Sequence, residues 1–115
     1  AFEGTQPWFR QSPPISAPSI RTTRAPICAA PAVVLHHHGL LGDASATCHP
    51  GFQASLPAAY LSKARVVTDE AHRLITSQGP GTAIEFALEI VRVLRGDDIA
   101  LAVAGPMVMP PSVMP

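Results

Sequence analysis

Two cysteines and five histidines supply the most reactive side chains of this 115-residue sequence. Cys28 stands out by its surroundings, Ala25-Pro26-Ile27-Cys28-Ala29-Ala30-Pro31. Small neighbours suit a sharp strand-to-helix turn that leaves a nucleophile exposed. Pro31 fits a first helical turn, where its missing N–H costs nothing. Ala32-Val33-Val34-Leu35 then continues as apolar helix. A thiol at a helix N-terminus is favoured as the reactive thiolate. The competing reading is a small, buried and inert cysteine.

His49 is the second candidate. Ser45-Ala46-Thr47-Cys48 reads as a short strand, broken by Pro50 and Gly51 so that His49 sits at its C-terminal edge. Ligands of open α/β sheets bind just outside the carboxyl ends of strands. A lone histidine is more often structural, but this one shares the chain with a cysteine at another strand end. Cys48 has two readings, a small buried hydrophobe or a resolving partner for an oxidised Cys28. His36, His37 and His38 crowd the end of the first helix. Consecutive residues point in different directions around a helix, so they read as polar residues helped by the helix dipole. No metal site and no cofactor are assigned.

The elements that must position these residues follow in order. The first helix spans about Pro31 to His38, with Gly39 as its C-cap. Gln53 to Ser62 is a short helix or turn. Arg65–Thr68 and Arg73–Ser77 read as strands joined by the polar hairpin loop Asp69–His72. Gln78-Gly79-Pro80-Gly81 is a turn. Thr82-Ala83-Ile84-Glu85 matches a capping box that opens a helix from Ala83 to Arg95. Its apolar stripe is marked by Ile84, Leu88 and Val91, broadened by Ala87, Ile90 and Leu94. Gly96 closes it, and Asp97 caps a last helix, Asp98 to Ala104. Met107-Val108-Met109 reads as a final short strand before a frayed tail, residues 110–115.

Composition narrows the function. Eight basic and eight acidic residues give zero formal net charge, and the basic residues are not clustered, which argues against nucleic acid. No apolar run approaches a membrane span. Two cysteines are too few for a disulfide framework, so a reducing compartment is the simpler expectation. Residues 1–24 carry four prolines, three arginines and one acid, Glu3. This composition predicts a disordered leader, read either as a plastid or mitochondrial transit peptide or as a spliced-in segment without a role. The chain does not begin with Met, which fits a fragment or a processed form.

The runs ICAAPAVVL, ATCHP, RVV, LITSQGPGTAIEFALEIVRVLRG and GPMVM occur in the order seen in the ThiJ/PfpI family. They resemble most closely its branch of Parkinson disease protein seven and the plant homologues. The resemblance covers about residues 25–109 and implies a flavodoxin-like α/β fold, a three-layer α/β/α sandwich of which only the C-terminal half is present. It places the family nucleophile on Cys28 and the neighbouring histidine on His49. It implies cofactor-independent glyoxalase III chemistry on a small 2-oxoaldehyde, methylglyoxal to lactate. The thiolate would add to the aldehyde as a hemithioacetal. The backbone N–H groups of Cys28 and Ala29 would stabilise the oxyanion, and His49 would move the proton between carbons. The alternative is a non-enzymatic oxidative-stress sensor or a chaperone-like protein. Cysteine peptidase chemistry ranks below both, for want of a triad partner for His49. The expected location is the cytoplasm, or the plastid. A homodimer, or association through an exposed sheet, is also implied.

The sequence departs from the family pattern in informative places. The first strands and helices, and the acid that hydrogen-bonds the cysteine, have no counterpart, which predicts impaired activity and a bare apolar face. Where an apolar strand should lead into Cys28 stand Arg21, Arg24 and Pro26. Arginines in a central strand are costly to bury, and Pro26 removes a ladder hydrogen bond. Gln78 stands where the family often has an arginine, and the Asp69–His72 turn is longer than usual.

Overall fold

The alternation of Leu74, Ile75, Thr76 and Ser77 puts side chains on both faces of one short strand, and all four residues are buried. The computed structural model describes residues 22–115, so the leader expected over 1–24 lies outside the described residues up to position 21. Strand β1, Val66–Asp69, pairs antiparallel with β2, Leu74–Ser77, in the register Val66 to Ser77 and Asp69 to Leu74. The loop between them closes with an Arg73 N–H to Glu70 carbonyl bond of 3.1 Å, and Arg73 takes a left-handed φ of 50°. Both strands lie within a residue of their expected positions.

The segment leading to Cys28 lies along the other edge of β2 and runs parallel to it, touching at Arg24–Leu74 and Ile27–Ser77. The Arg24 N–H donates to the Arg73 carbonyl and the Ile75 N–H to the Arg24 carbonyl, both at 2.9 Å. Pro26 stands between the two bridges with no N–H to give, so the pairing is two isolated bridges and not a continuous ladder. Arg24 is half-buried, and its guanidinium donates to the carbonyls of Leu40 and His72, while its Nε is buried without a partner. The sheet of this partial α/β domain is thus an antiparallel hairpin with parallel bridges along the other edge of β2.

A helix lies on each face of this sheet. On one face, Pro31–His36 forms a π-helical turn, with i to i+5 bonds from His37 N–H to Ala32 and from Leu40 N–H to Leu35. It is shorter than the expected Pro31–His38, and Gly39 follows it at φ 68°. Ala32, Leu35, Leu41, Ala44, Ala46, Cys48, Leu56 and Leu74 form one buried cluster there. Ser45–Cys48 is extended, but among the described residues it bridges only at Ala46–Leu61. Thr47 N–H turns instead to the Thr76 hydroxyl at 2.9 Å. The short helix or turn expected over 53–62 begins earlier, as a 3-10 turn over Pro50–Ser55.

On the other face lies α1, Ala83–Arg95, with its bounds as expected. Its inner side is Phe86 and Leu88, whereas Ile84 and Leu94 of the expected stripe are more than half exposed. The expected capping box does not form. Thr82 turns its hydroxyl back to the Gly79 carbonyl at 2.9 Å and to Ser77 Oγ, and Glu85 pairs with Arg65 at 2.6 Å. The second helix, α2, runs Asp97–Ala104, entered through Gly96 at φ 92° without a side-chain cap from Asp97. Met107–Met109 is not a strand. A 3-10 turn, Gly105–Met107, is followed by Val108 at φ 55°, 89% exposed, with no strand beside it among the described residues.

Candidate functional site

Cys28 ends the segment that runs along β2, and its backbone turns sharply, with φ 65°. Left-handed geometry costs a residue with a Cβ about 1 kcal/mol or more. Local bonds hold the turn. The Cys28 N–H donates to the Ser77 carbonyl at 3.0 Å, and the Ala30 N–H returns to the Ile27 carbonyl at 3.2 Å. Ser77 is fixed in turn by its hydroxyl, which donates to the Arg65 carbonyl at 2.7 Å and meets the Thr82 hydroxyl. The strand-to-helix elbow inferred from small residues is therefore present, and Cys28 sits in it half-buried.

The Cys28 N–H is already committed to Ser77. Of the two backbone groups expected to face an oxyanion, only that of Ala29 remains, having no acceptor among the described residues.

His49 meets Cys28 through the main chain: its N–H donates to the Cys28 carbonyl at 2.7 Å. The ring is exposed and oriented by its own turn, since Gly51 N–H donates to His49 Nδ1 at 3.0 Å. Nδ1 is thus an acceptor, so the neutral ring carries its proton on Nε2. Two glycines border the ring, and only at Gly51 would a side chain crowd it. A Cβ at Gly51 would lie 3.2 Å from Nδ1, and one at Gly79 would lie 3.7 Å from Cδ2. Phe52 stands edge-on to the imidazole at 6.2 Å. Sequence reasoning took both glycines as turn formers only. Their closeness to His49 was visible in advance at most for Gly51, two residues away.

Cys48 is fully buried within the apolar cluster, its thiol donating to the His49 carbonyl at 3.4 Å. Burial, and secondarily electrostatic interaction with Cys28, push its thiol up from the ordinary range. This environment is that of a small buried hydrophobe. His37 and His38 contact each other edge-on at 5.1 Å, and no group of three potential metal ligands converges among the described residues.

No carboxylate hydrogen-bonds the Cys28 thiol among the described residues. Two hollows, of about 280 and about 410 Å³, lie away from Cys28 and His49, one beside Arg73 and Arg92 and one beside Arg65 and Glu85. None of the described helices is long and apolar enough to cross a membrane.

A model of the DJ-1/PfpI family matches residues 21–93. The protein DJ-1 homolog B of Arabidopsis thaliana is 43% identical over 89 residues, covering 76% of this chain and 20% of the relative. A Caenorhabditis elegans protein named as a glutathione-independent glyoxalase is 43% identical over 75 residues, covering 63% of this chain and 38% of the relative. The crystal structure of the VC2308 protein superposes with a TM-score of 0.78 at 43% identity, covering 80% of this chain and 47% of that one. An oxidized DJ-1 of Toxoplasma gondii superposes with a TM-score of 0.71 at 39% identity, covering 76% and 46%. The chain thus spans less than half the length of each of these relatives.

Proposed function

The chain belongs to the DJ-1/PfpI family, and we propose that it carries the nucleophile half of a glyoxalase-type site acting on small 2-oxoaldehydes. The observation that supports this reading best is the strained elbow at Cys28, tied by its carbonyl to His49 N–H. A relative named as a glutathione-independent glyoxalase supports the same chemistry.

In the proposed reaction the Cys28 thiolate attacks the aldehyde carbon of methylglyoxal, forming a C–S bond and an alkoxide. The Ala29 N–H is the backbone donor left for that oxyanion. The hydrogen on the aldehyde carbon then leaves as a proton, and the neighbouring ketone carbon gains one, which gives a lactoyl thioester. Water cleaves the thioester to lactate and regenerates the thiol. His49 presents Nε2–H to the substrate oxygens. For the ring to carry the proton between the carbons, Nδ1 must first release Gly51 N–H. With no carboxylate on the thiol among the described residues, slow turnover by this chain alone is the expected outcome. Exposed Ile84 and Leu94 on α1 and Ile99 and Leu101 on α2 offer apolar surface for association between copies.

The test is lactate formation from methylglyoxal by the purified chain and by Cys28→Ala. Lactate above the buffer rate from the wild type only supports the proposal. Equal rates from the two, or none from either, reject catalysis by this chain.

A redox reading is favoured by one contrast: Cys28 is half-buried at a turn, while Cys48 is sealed in the core. After mild peroxide, oxidation is then expected at Cys28 alone by mass spectrometry. Equal modification of Cys48 would reject a selective sensor.

A further inference from the structure

The β1–β2 loop holds a second polar cluster, away from Cys28. His72 Nδ1 lies 3.0 Å from Asp69 Oδ1, and His72 Nε2 lies 2.7 Å from Asp43 Oδ1. Both ring nitrogens therefore face a carboxylate oxygen, and ionised carboxylates only accept. A neutral imidazole has one N–H and one lone pair, so it would turn that lone pair against one of the two carboxylates. Only the imidazolium donates to both.

The cluster reaches across the fold. Asp69 Oδ1 also accepts the His72 N–H at 3.0 Å, and Asp69 Oδ2 accepts the Ser45 N–H at 2.8 Å. Asp43 and Ser45 belong to the loop that leads directly into Ala46, Cys48 and His49. Among the described residues the loop's other hydrogen-bonded tie to the β1–β2 turn runs through Arg24, whose guanidinium joins the Leu40 and His72 carbonyls, and Leu41 and Ala44 pack in one cluster with Leu74. The two arms differ. The Asp69 side chain is 13% exposed and carries three hydrogen bonds, whereas the Asp43 side chain is 71% exposed and, among the described residues, holds only the ring.

We propose that Asp43, His72 and Asp69 form a proton-operated latch. With the ring protonated, the latch ties the loop that delivers His49 to the β1–β2 hairpin, and when the proton leaves, the Asp43 arm lets go. The inner arm, Asp69 to Ser45, stays made in both states because it does not depend on the ring. The other charges near the ring act in known directions. The Arg24 guanidinium, on the His72 carbonyl, and Arg73, next in the chain, oppose protonation, and Glu70 in the same loop favours it. The carboxylates outweigh the cations because they alone touch the ring nitrogens, and the ring holds its proton above the ordinary histidine range through Asp69 first and Asp43 second. The latch requires no reaction at Cys28 and stands apart from the proposed chemistry.

The test is an NMR pH titration of the whole chain that follows the His72 ring and the amides of Asp43, Ala44 and Ser45. The loop amides are expected to shift with the same midpoint as the ring. In Asp43→Asn, an exposed substitution that leaves the fold in place, the ring midpoint falls. In His72→Gln the loop transition is lost while the β2 amides keep their wild-type shifts. Loop amides that do not move at the ring's midpoint overturn the latch, as does an Asp43→Asn midpoint equal to that of the wild type.

Discussion

The amide of His49 donates to the carbonyl of Cys28 at 2.7 Å, so the two candidate site residues are joined main chain to main chain. Neither side chain takes part in that bond. Replacing the thiol or the imidazole therefore removes a chemical group without removing the contact that brings the segments together. The elbow at Cys28 is held by the Ser77 carbonyl, whereas the turn after His49 is held through the imidazole itself, whose Nδ1 accepts the Gly51 N–H. A substitution of the Cys28 thiol can thus be interpreted chemically, while one at His49 also removes the acceptor of the Gly51 N–H.

The left-handed backbone of Cys28 predicts an order of stabilities. At φ 65° any Cβ is penalised, and only glycine escapes the penalty. Cys28→Gly is expected to be more stable than Cys28→Ala by about 1 kcal/mol, the cost of a left-handed residue with a side chain. Urea denaturation of the two variants measures this. An alanine variant as stable as the glycine one would show that the turn relaxes once the thiol is gone.

Gly51 sets the orientation of His49. Its φ is not left-handed, so alanine is tolerated by the backbone, but the new Cβ would stand 3.2 Å from Nδ1. The ring must yield by a few tenths of an ångström. Gly51→Ala is expected to keep its stability within about 1 kcal/mol and to lower kcat/KM for methylglyoxal by roughly tenfold, because small misplacements of a catalytic group are costly. Unchanged kcat/KM would remove His49 from the proposed chemistry.

The His72 cluster makes stability depend on pH with a definite sign. Asp69 and then Asp43 raise the ring's affinity for its proton, against a smaller effect of burial. A group bound more tightly to its proton in the folded state stabilises fully below its unfolded value, about 6.5 for histidine. That stabilisation is lost as pH rises through the higher folded value. Burial raises the Asp69 carboxyl, but the bonds from the His72 ring and from the Ser45 and His72 amides outweigh it, and the net direction is down. Its contribution is present above the ordinary aspartate range and lost as pH falls through the folded value. The stability gap between wild type and His72→Gln should therefore be widest between these two ranges and should narrow as pH rises beyond the ordinary histidine value of about 6.5. Urea midpoints above that value check it, and a gap that widens there with pH would contradict the assignment.

Much of the local structure was legible in the sequence because it rests on short-range chemistry. Small residues around Cys28 and a proline after it marked the elbow. Pro50 and Gly51 marked the stop that leaves His49 at a segment end. The long apolar period and Gly96 gave the bounds of α1. Motif order along the chain was enough to indicate the family and how much of the domain is present.

What the tertiary structure decided was the destination of each hydrogen-bonding group. Thr82 and Glu85 match a capping box, yet Ser77, Gly79 and Arg65 stand close enough to take them instead. Arg24 looked too costly for a strand, but the Leu40 and His72 carbonyls come within reach of its guanidinium. The Cys28 N–H looked free for an oxyanion until β2 brought the Ser77 carbonyl to it. His72 read as one polar residue of a hairpin loop, and only the fold sets Asp43, 29 positions away, against its ring. Each donor has several acceptors of similar strength, and propensity ranks only those nearby in sequence. The choice among distant ones depends on which atoms the packed core holds within hydrogen-bonding distance.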